Sequence, residues 1–217
     1  IPDDWEVKEL QEVCSLITKQ TGFDYSATIK PALLTEPTKN TIAFIQNKDF
    51  EEEIINYNTD FFIPISIAKK FPRIYLNEDV LLISISGRIG NVAYFKHIKD
   101  AFVGGAVGIA RFYDKDLINY CMRYLLSSNG QNQIFANEKS GAQHNLTVAD
   151  VRKLQIPFPP KKEQQQITKA LSDVDTLIST TEKFIQKKKN IKQGTMQNLQ
   201  KRKKRLPGFA KSTNYKQ

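Results

Sequence analysis

A scattered set of polar residues carries side chains that hydrogen-bond nucleobase edges or hold phosphates: Lys19, Thr21, Lys48, Tyr57, Lys69, Lys70, Arg73, Arg88, Lys139, Gln143 and His144. Arg or Lys pairs with guanine, and Asn or Gln with adenine. Lys, Ser and Thr also position a duplex through its phosphates without reading it. Singly, each of these residues reads as an ordinary surface side chain. No helix-turn-helix or zinc-finger spacing gathers them. Their chemistry therefore depends on a scaffold that brings separate loops to one face.

No catalytic constellation competes with this reading. Gly87-Arg88-Ile89-Gly90 lacks the Lys-Ser/Thr close of a phosphate loop and the helix that should follow it. Gly104-Gly105-Ala106-Val107-Gly108 precedes an alternating apolar segment, where a dinucleotide fingerprint would open a helix. Glu51-Glu52-Glu53 reads as a solvated charge run. Ser84 and Ser86 have no nucleophile-elbow context. His144 lies in a glycine-marked polar loop with no nominated nucleophile or acid beside it. The chain is expected not to be an enzyme and to need no cofactor.

With two His and two Cys far apart, no metal site is expected. Cys14 and Cys121 sit among apolar neighbours and read as buried free thiols in a reducing, cytoplasmic setting. No run of eighteen apolar residues would span a membrane. The opening residues show no secretory signal pattern.

Charge is unevenly placed. The net charge is +9, but residues 161–217 hold 15 Lys and Arg against 4 Asp and Glu, while residues 1–160 hold 17 against 19. The global excess therefore belongs to the C-terminal part. A near-neutral domain can still meet a polyanion if a few cations cluster on one face.

The elements that must position the polar loops read as follows. Trp5–Val7 suits a strand, and Val7, Leu10 and Cys14 equally suit a short helix. Residues 19–28 and 35–40 read as loops. Thr41–Ile45 reads as a strand and Asn47–Glu53 as exposed. Pro64 breaks two apolar runs and argues for an edge strand or a bend. Asp79–Ser86 is the clearest strand, with a continuous apolar run buried on both faces at one end. Gly87–Gly90 turns it into a second strand ending at Phe95, and Ala106–Phe112 makes a third. Asp116–Ser127 is helical, and Gln131–Ala136 reads as a short helix or loop. Thr147 with Asp150 forms a capping-box pattern ahead of a one- or two-turn helix. Ile156–Pro160 is an extended strut, because each Pro biases the residue before it away from the helical region.

Beyond the strut, about forty residues run without proline. Ile167, Leu171, Val174, Ile178 and Ile185 form one apolar line, and Leu177, Phe184 and Ile191 a second beside it. This is a helix with a broad stripe, roughly 60 Å long at 1.5 Å per residue. It needs a second long helix to cover that stripe, and this sequence offers none. The fold class is therefore α+β: a sheet-rich domain over residues 1–158, one long coiled-coil-forming helix over 159–205, and a basic tail over 206–217.

Several stretches together resemble one family, the DNA-specificity (S) subunits of type I restriction–modification systems. Ile1-Pro2-Asp3-Asp4-Trp5 with Leu10 is similar to the I-P-x-x-W-x-x-x-x-L opening of their target-recognition domains. Leu81 to Gly90, followed by Ala101-Phe102-Val103, resembles their L-L-I-S-x-S-G-x-I-G and A-F stretches. Gly141, Asn145 and Leu146, then Ile156-Pro157-Phe158-Pro159-Pro160, then Glu163-Gln164 and Ile167, match G-x-x-x-x-N-L, I-P-x-P-P and E-Q-x-x-I. Lys192–Leu199 and Arg205–Phe209 resemble the helix end and tail. The chain departs at Gln200-Lys201-Arg202-Lys203-Lys204, where many members end the helix in a Thr-Gly-Lys-like turn.

The resemblance implies a non-catalytic subunit of a type I restriction–modification complex that recognises double-stranded DNA. Each domain would read one half of a gapped site, and antiparallel helices would set the spacing. The implied partners are methyltransferase (M) subunits, a nuclease–translocase (R) subunit, and a second copy or second half of the S subunit. This chain corresponds to one such half, either a natural half-length subunit or part of a longer one. The alternative is a protein-interaction adaptor that dimerises through its helix without sequence-specific DNA binding.

Overall fold

The computed structural model describes residues 2, 4–51, 53–136, 145–201 and 205–206. It divides the chain into two compact units, residues 1–168 and 169–217. In chain order the strands are β1 (Glu6–Glu9), β2 (Cys14–Lys19), β3 (Thr41–Ile45), β4 (Phe50–Glu51), β5 (Ile54–Ile55), β6 (Phe62–Pro64), β7 (Tyr75–Leu76), β8 (Val80–Ser84), β9 (Val92–Phe95), β10 (Ala101–Val103), β11 (Val107–Phe112) and β12 (Gln155–Phe158). The α-helices are α1 (Leu10–Val13), α2 (Gly22–Asp24), α3 (Ile65–Ala68), α4 (Leu117–Leu126), α5 (Ser128–Ala136), α6 (Val148–Arg152) and α7 (Lys161–Gln200).

Two four-stranded sheets build the first unit, in the orders β2-β11-β8-β9 and β6-β3-β10-β7. The central strand β8 explains both. All five of its residues are buried, and successive side chains point to opposite faces. Leu81 and Ile83 enter one core with Leu10, Ile118, Cys121 and Leu125 from the helical side. Val80 and Leu82 enter the other core with Phe44, Ile63, Leu76 and Phe102 from the second sheet. Strand β11 divides in the same way, Val107 and Ile109 against Ala110 and Phe112, and is bulged between Arg111 and Phe112.

The β8–β9 turn is the one the sequence predicts. Gly87 and Gly90 have φ of 75° and 92°, the left-handed region that costs other residues roughly 1–2 kcal/mol. Strand β6 is an edge, as Pro64 implies, and the chain after it turns helical in α3. At the amino end both alternatives occur in succession: β1, then α1, then β2. The strut pairs antiparallel with β1, with Glu6 opposite Phe158 and Glu9 opposite Gln155. Thr147 and Asp150 form the capping box at α6.

Two local expectations are corrected. Residues 19–28, read as loop, contain α2 and a π-helical turn over Tyr25–Ile29, followed by a 3-10 turn over Lys30–Ala32. Thr21 caps this segment, and Ile29 is fully buried. Residues 47–53, read as exposed, include buried Asp49 and Phe50. The Asp49 carboxylate accepts from the Gln46 N–H at 2.8 Å, and Phe50 joins the second core.

Cys14 and Cys121 are buried free thiols in the first core. Burial pushes the Cys14 thiol up to about 12 and raises that of Cys121 as well. Neither is a ready nucleophile, since the thiolate is the reactive form.

Helix α7 spans Lys161–Gln200. Its first turns belong to the first unit. The Glu163 and Gln164 N–H groups both donate to Pro160 O, Gln164 Nε2 donates to Pro159 O at 2.7 Å, Lys161 pairs with Asp114 at 3.1 Å, and Ile167 packs on the first core. In the second unit Leu171, Val174, Ile178 and Ile185 are all exposed, as are Leu177, Phe184 and Ile191. The helix carries its own polar support there, with Lys169 and Asp173 paired at 2.6 Å and Lys188 over the Phe184 ring at 5.0 Å.

Candidate nucleic-acid interface

Four chain segments converge at one end of the first unit. They are the end of β2 with the start of α2, the turn after β3, the stretch ahead of β7, and the Gly104-Gly105 link between β10 and β11. Lys19, Gln20, Thr21, Gly22, Tyr25, Phe44, Gln46, Asn47, Gly104, Gly105 and Ala106 line a recess of about 310 Å³. A second recess of about 250 Å³ shares Lys19, Gln20 and Thr21 and continues over Asp24, Lys70, Phe71, Pro72, Arg73 and Ile74. The residues from Lys19 to Thr21 thus form the wall between two adjoining hollows.

The local geometry follows from the sequence. Strand β2 ends at Lys19, so Lys19 and Thr21 lie exposed on either side of buried Gln20. The Thr21 hydroxyl accepts from the Asp24 N–H at 3.2 Å and donates to the Asp24 carboxylate at 2.7 Å, which fixes the start of α2. On the opposite side, Asn47 Nδ2 donates to Ser86 O at 2.7 Å. That bond ties the turn after β3 to the β8–β9 turn that carries Arg88. Gly87 keeps the approach open, because a Cβ there would lie 2.8 Å from Asn47 Nδ2.

The structure brings some of the sequence-predicted residues together and separates others. Lys19, Thr21, Lys70 and Arg73 line the second recess. Lys19, Lys70 and Arg73 make no ion pair among the described residues, so three cations face the single carboxylate of Asp24. Lys69 precedes Lys70 on the same exposed segment. Lys48 follows Asn47 but is engaged with Asp60, and lies 3.8 Å from Asp49. Arg88 is exposed in the tethered turn. Tyr57 belongs elsewhere: it is half-buried, 5.9 Å from the Phe95 ring, with Lys99 Nζ 4.5 Å from its own centroid. Burial lifts its phenol to about 12. Lys139, Gln143 and His144 lie outside the described residues.

Sequence reasoning passed over Gln20, Gln46 and Asn47, and as to function weighed Gly104-Gly105 only as a dinucleotide fingerprint. Their only signal was position, a polar residue just past the end of a strand. Gln20 is the most unusual of them. It is 3 % exposed, and neither its Nε2 nor its Oε1 has a hydrogen-bond partner.

Chemically, the arrangement offers separated cations for phosphate oxygens, amides for base edges, and walls held by sheet ends. Among the described residues, no group of three or more His, Cys, Asp or Glu could hold a metal ion. No helix there is long and apolar enough to cross a membrane.

Comparison with known proteins places this geometry in a context. A family model for the type I restriction modification DNA specificity domain matches residues 2–193. A Methanocaldococcus jannaschii protein provisionally named the type I restriction enzyme MjaX specificity subunit is 28 % identical over 211 residues. That match covers 92 % of this chain and 46 % of the relative, so the chain spans about half the length of the curated relative it matches. Among solved structures, the HsdS subunit from Thermoanaerobacter tengcongensis superposes with a TM-score of 0.56 at 21 % identity, over 83 % of this chain and 39 % of that one. The S subunit of a type I restriction–modification system from M. genitalium gives 0.57 at 16 % identity, over 90 % and 45 %. At such identities the two structures speak to the fold, a sheet-rich domain followed by a long helix.

Proposed function

The chain belongs to the type I restriction modification DNA specificity domain family, and from that membership we propose that it reads one half-site of a double-stranded DNA target as a non-catalytic specificity subunit. The observation that carries this reading is the pair of adjoining recesses. There Lys19, Lys70 and Arg73, which make no ion pair among the described residues, stand with Asp24 in one recess, and the amides of Gln20, Gln46 and Asn47 line the other. Cations at the rim suit phosphates, and amides inside suit base edges. Of the other candidates, Thr21, Lys69 and Arg88 extend the same surface. Lys48, Lys139, Gln143 and His144 are DNA-contact candidates on sequence grounds alone, and Tyr57 lines neither recess.

The domain would occupy residues 1–158 and the spacing helix 159–205, with 206–217 as a basic tail. Ile167 seats the base of the helix, while Leu171, Val174, Ile178 and Ile185 pair with a second copy or a second half. Methyltransferase subunits would clasp the assembly and add much of its grip, since residues 1–160 carry slightly more acids than bases. A nuclease–translocase subunit would bind outside. The cytoplasm is where such a complex meets DNA.

Competition between a selected duplex and random duplexes, at graded salt and with the methyltransferase subunit present, tests the proposal. Affinity should fall steeply with salt through counterion release, while preference for the selected duplex persists. Lys70→Ala and Arg73→Ala should weaken binding to all duplexes alike, each lowering the salt slope by about 1. Equal competition by random duplexes at every salt concentration contradicts it.

A further inference from the structure

We propose that Gln20 is a specificity-determining residue of this surface and that it reads an adenine in the major groove; the assignment rests on the DNA-reading role above. Gln20 is 3 % exposed and lies in the wall of both recesses, with its amide atoms buried behind that wall. Its Nε2 and Oε1 are both without partners. Buried amides in folded proteins are nearly always satisfied, and one left unsatisfied destabilises the chain that carries it. A glutamine kept in that condition at the wall of an open recess is poised for an external partner.

The partner's chemistry follows from the amide. It must supply an acceptor to Nε2 and a donor to Oε1, side by side. In the major groove adenine offers that pair, N7 and the N6 amino group. Guanine presents two acceptors there and would leave Oε1 unsatisfied. Cytosine presents only a donor, and thymine only an acceptor. The amide is covered in the free chain, so contact requires Gln20 to rotate about its own side-chain bonds into the recess. Gly105 borders the amide without a side chain of its own, and a Cβ there would stand in ordinary contact, 3.4 Å from Oε1. Lys19 precedes Gln20 on exposed backbone, where it can hold a phosphate that fixes its register.

Selection from a random duplex pool, with the full chain and the methyltransferase subunit, tests this. The wild type should enrich a motif with an adenine that Gln20→Met loses, other positions being kept. At that position 7-deazaadenine should cost the wild type roughly 5- to 150-fold in affinity and cost the Met variant nothing. In the free state Gln20→Met should melt higher by about 2–4 °C, because it removes an unsatisfied buried amide. Should Met fail to fold, Gln20→Glu serves instead. It keeps an acceptor, loses the donor, and should move the preference at that position towards cytosine. An unchanged motif in the folded variant overturns the assignment while leaving the DNA-reading role intact. So does a lost guanine whose inosine replacement binds the wild type and the variant alike, since that places Gln20 in the minor groove. A wild type with no preference overturns both.

Discussion

Asp100 accepts from the Tyr75 hydroxyl, and its other oxygen lies 2.9 Å from His97 Nε2. The Tyr75 bond, aided by His97 and opposed by burial, holds the carboxyl below its ordinary value. Asp79 is held low in the same sense. Burial pushes it up, but the Tyr94 hydroxyl at 2.5 Å and the His97 N–H at 2.8 Å outweigh that. An acid whose folded pKa is depressed stabilises the fold above its unfolded value of about 3.9, and this contribution is lost as pH falls through the lower folded value. Asp49, raised mainly by burial, works with the opposite sign as pH rises. Thermal melts should therefore show Tm dropping once pH falls below about 4. Asp100→Asn should melt lower than wild type at neutral pH and flatten the acid limb. An acid limb of unchanged slope in that variant would show that Asp100 carries none of it. At this scale much of the interface was hidden from the sequence. Lys19, Thr21, Lys70 and Arg73 could be chosen as polar and accessible, but nothing in the one-dimensional pattern placed them on one recess. Gln20 looked like one more loop residue, since its burial is created by segments far away in the chain.

The elements were more legible, and the reason is burial. Strand β8 reads clearly because both its faces are covered, so its apolar run is continuous. The glycines after it read clearly because their positive φ admits little else. Helix α7 reads clearly because the stripe from Ile167 to Ile185 repeats over about five turns without a breaker. The misread segment over residues 19–28 has neither advantage. The helical turns from Gly22 to Ala32 are short and of three kinds, and packing of Tyr25 and Ile29 on the second core overrides a polar, glycine-containing sequence. In β10, three residues pair parallel with β3, a contact no local pattern announces. The exposed stripe of α7 gives the prediction that belongs here. Burying a large aliphatic side chain contributes about 1.5–3 kcal/mol. Replacing Leu171, Val174, Ile178 and Ile185 together by serine should therefore leave a monomer in light scattering where the wild type is a dimer. A dimer that survives the four changes would rule out pairing through this stripe.

For the whole molecule, the proposal assigns separate tasks to separate parts. The sheet-rich unit reads, and the helix measures. If two copies pair with two-fold symmetry, the target is an inverted repeat of one half-site across a fixed gap. Reading and measuring should then change independently. Seven residues inserted within 171–185 of α7 keep the apolar line in phase, because seven residues are close to two helical turns. They lengthen the helix by about 10 Å. The most direct test is to select duplexes from a random pool with the wild type and with this insertion, each with the methyltransferase subunit present. The account predicts the same half-site sequence from both and a different gap between the repeats. An identical gap, or an altered half-site, would contradict it.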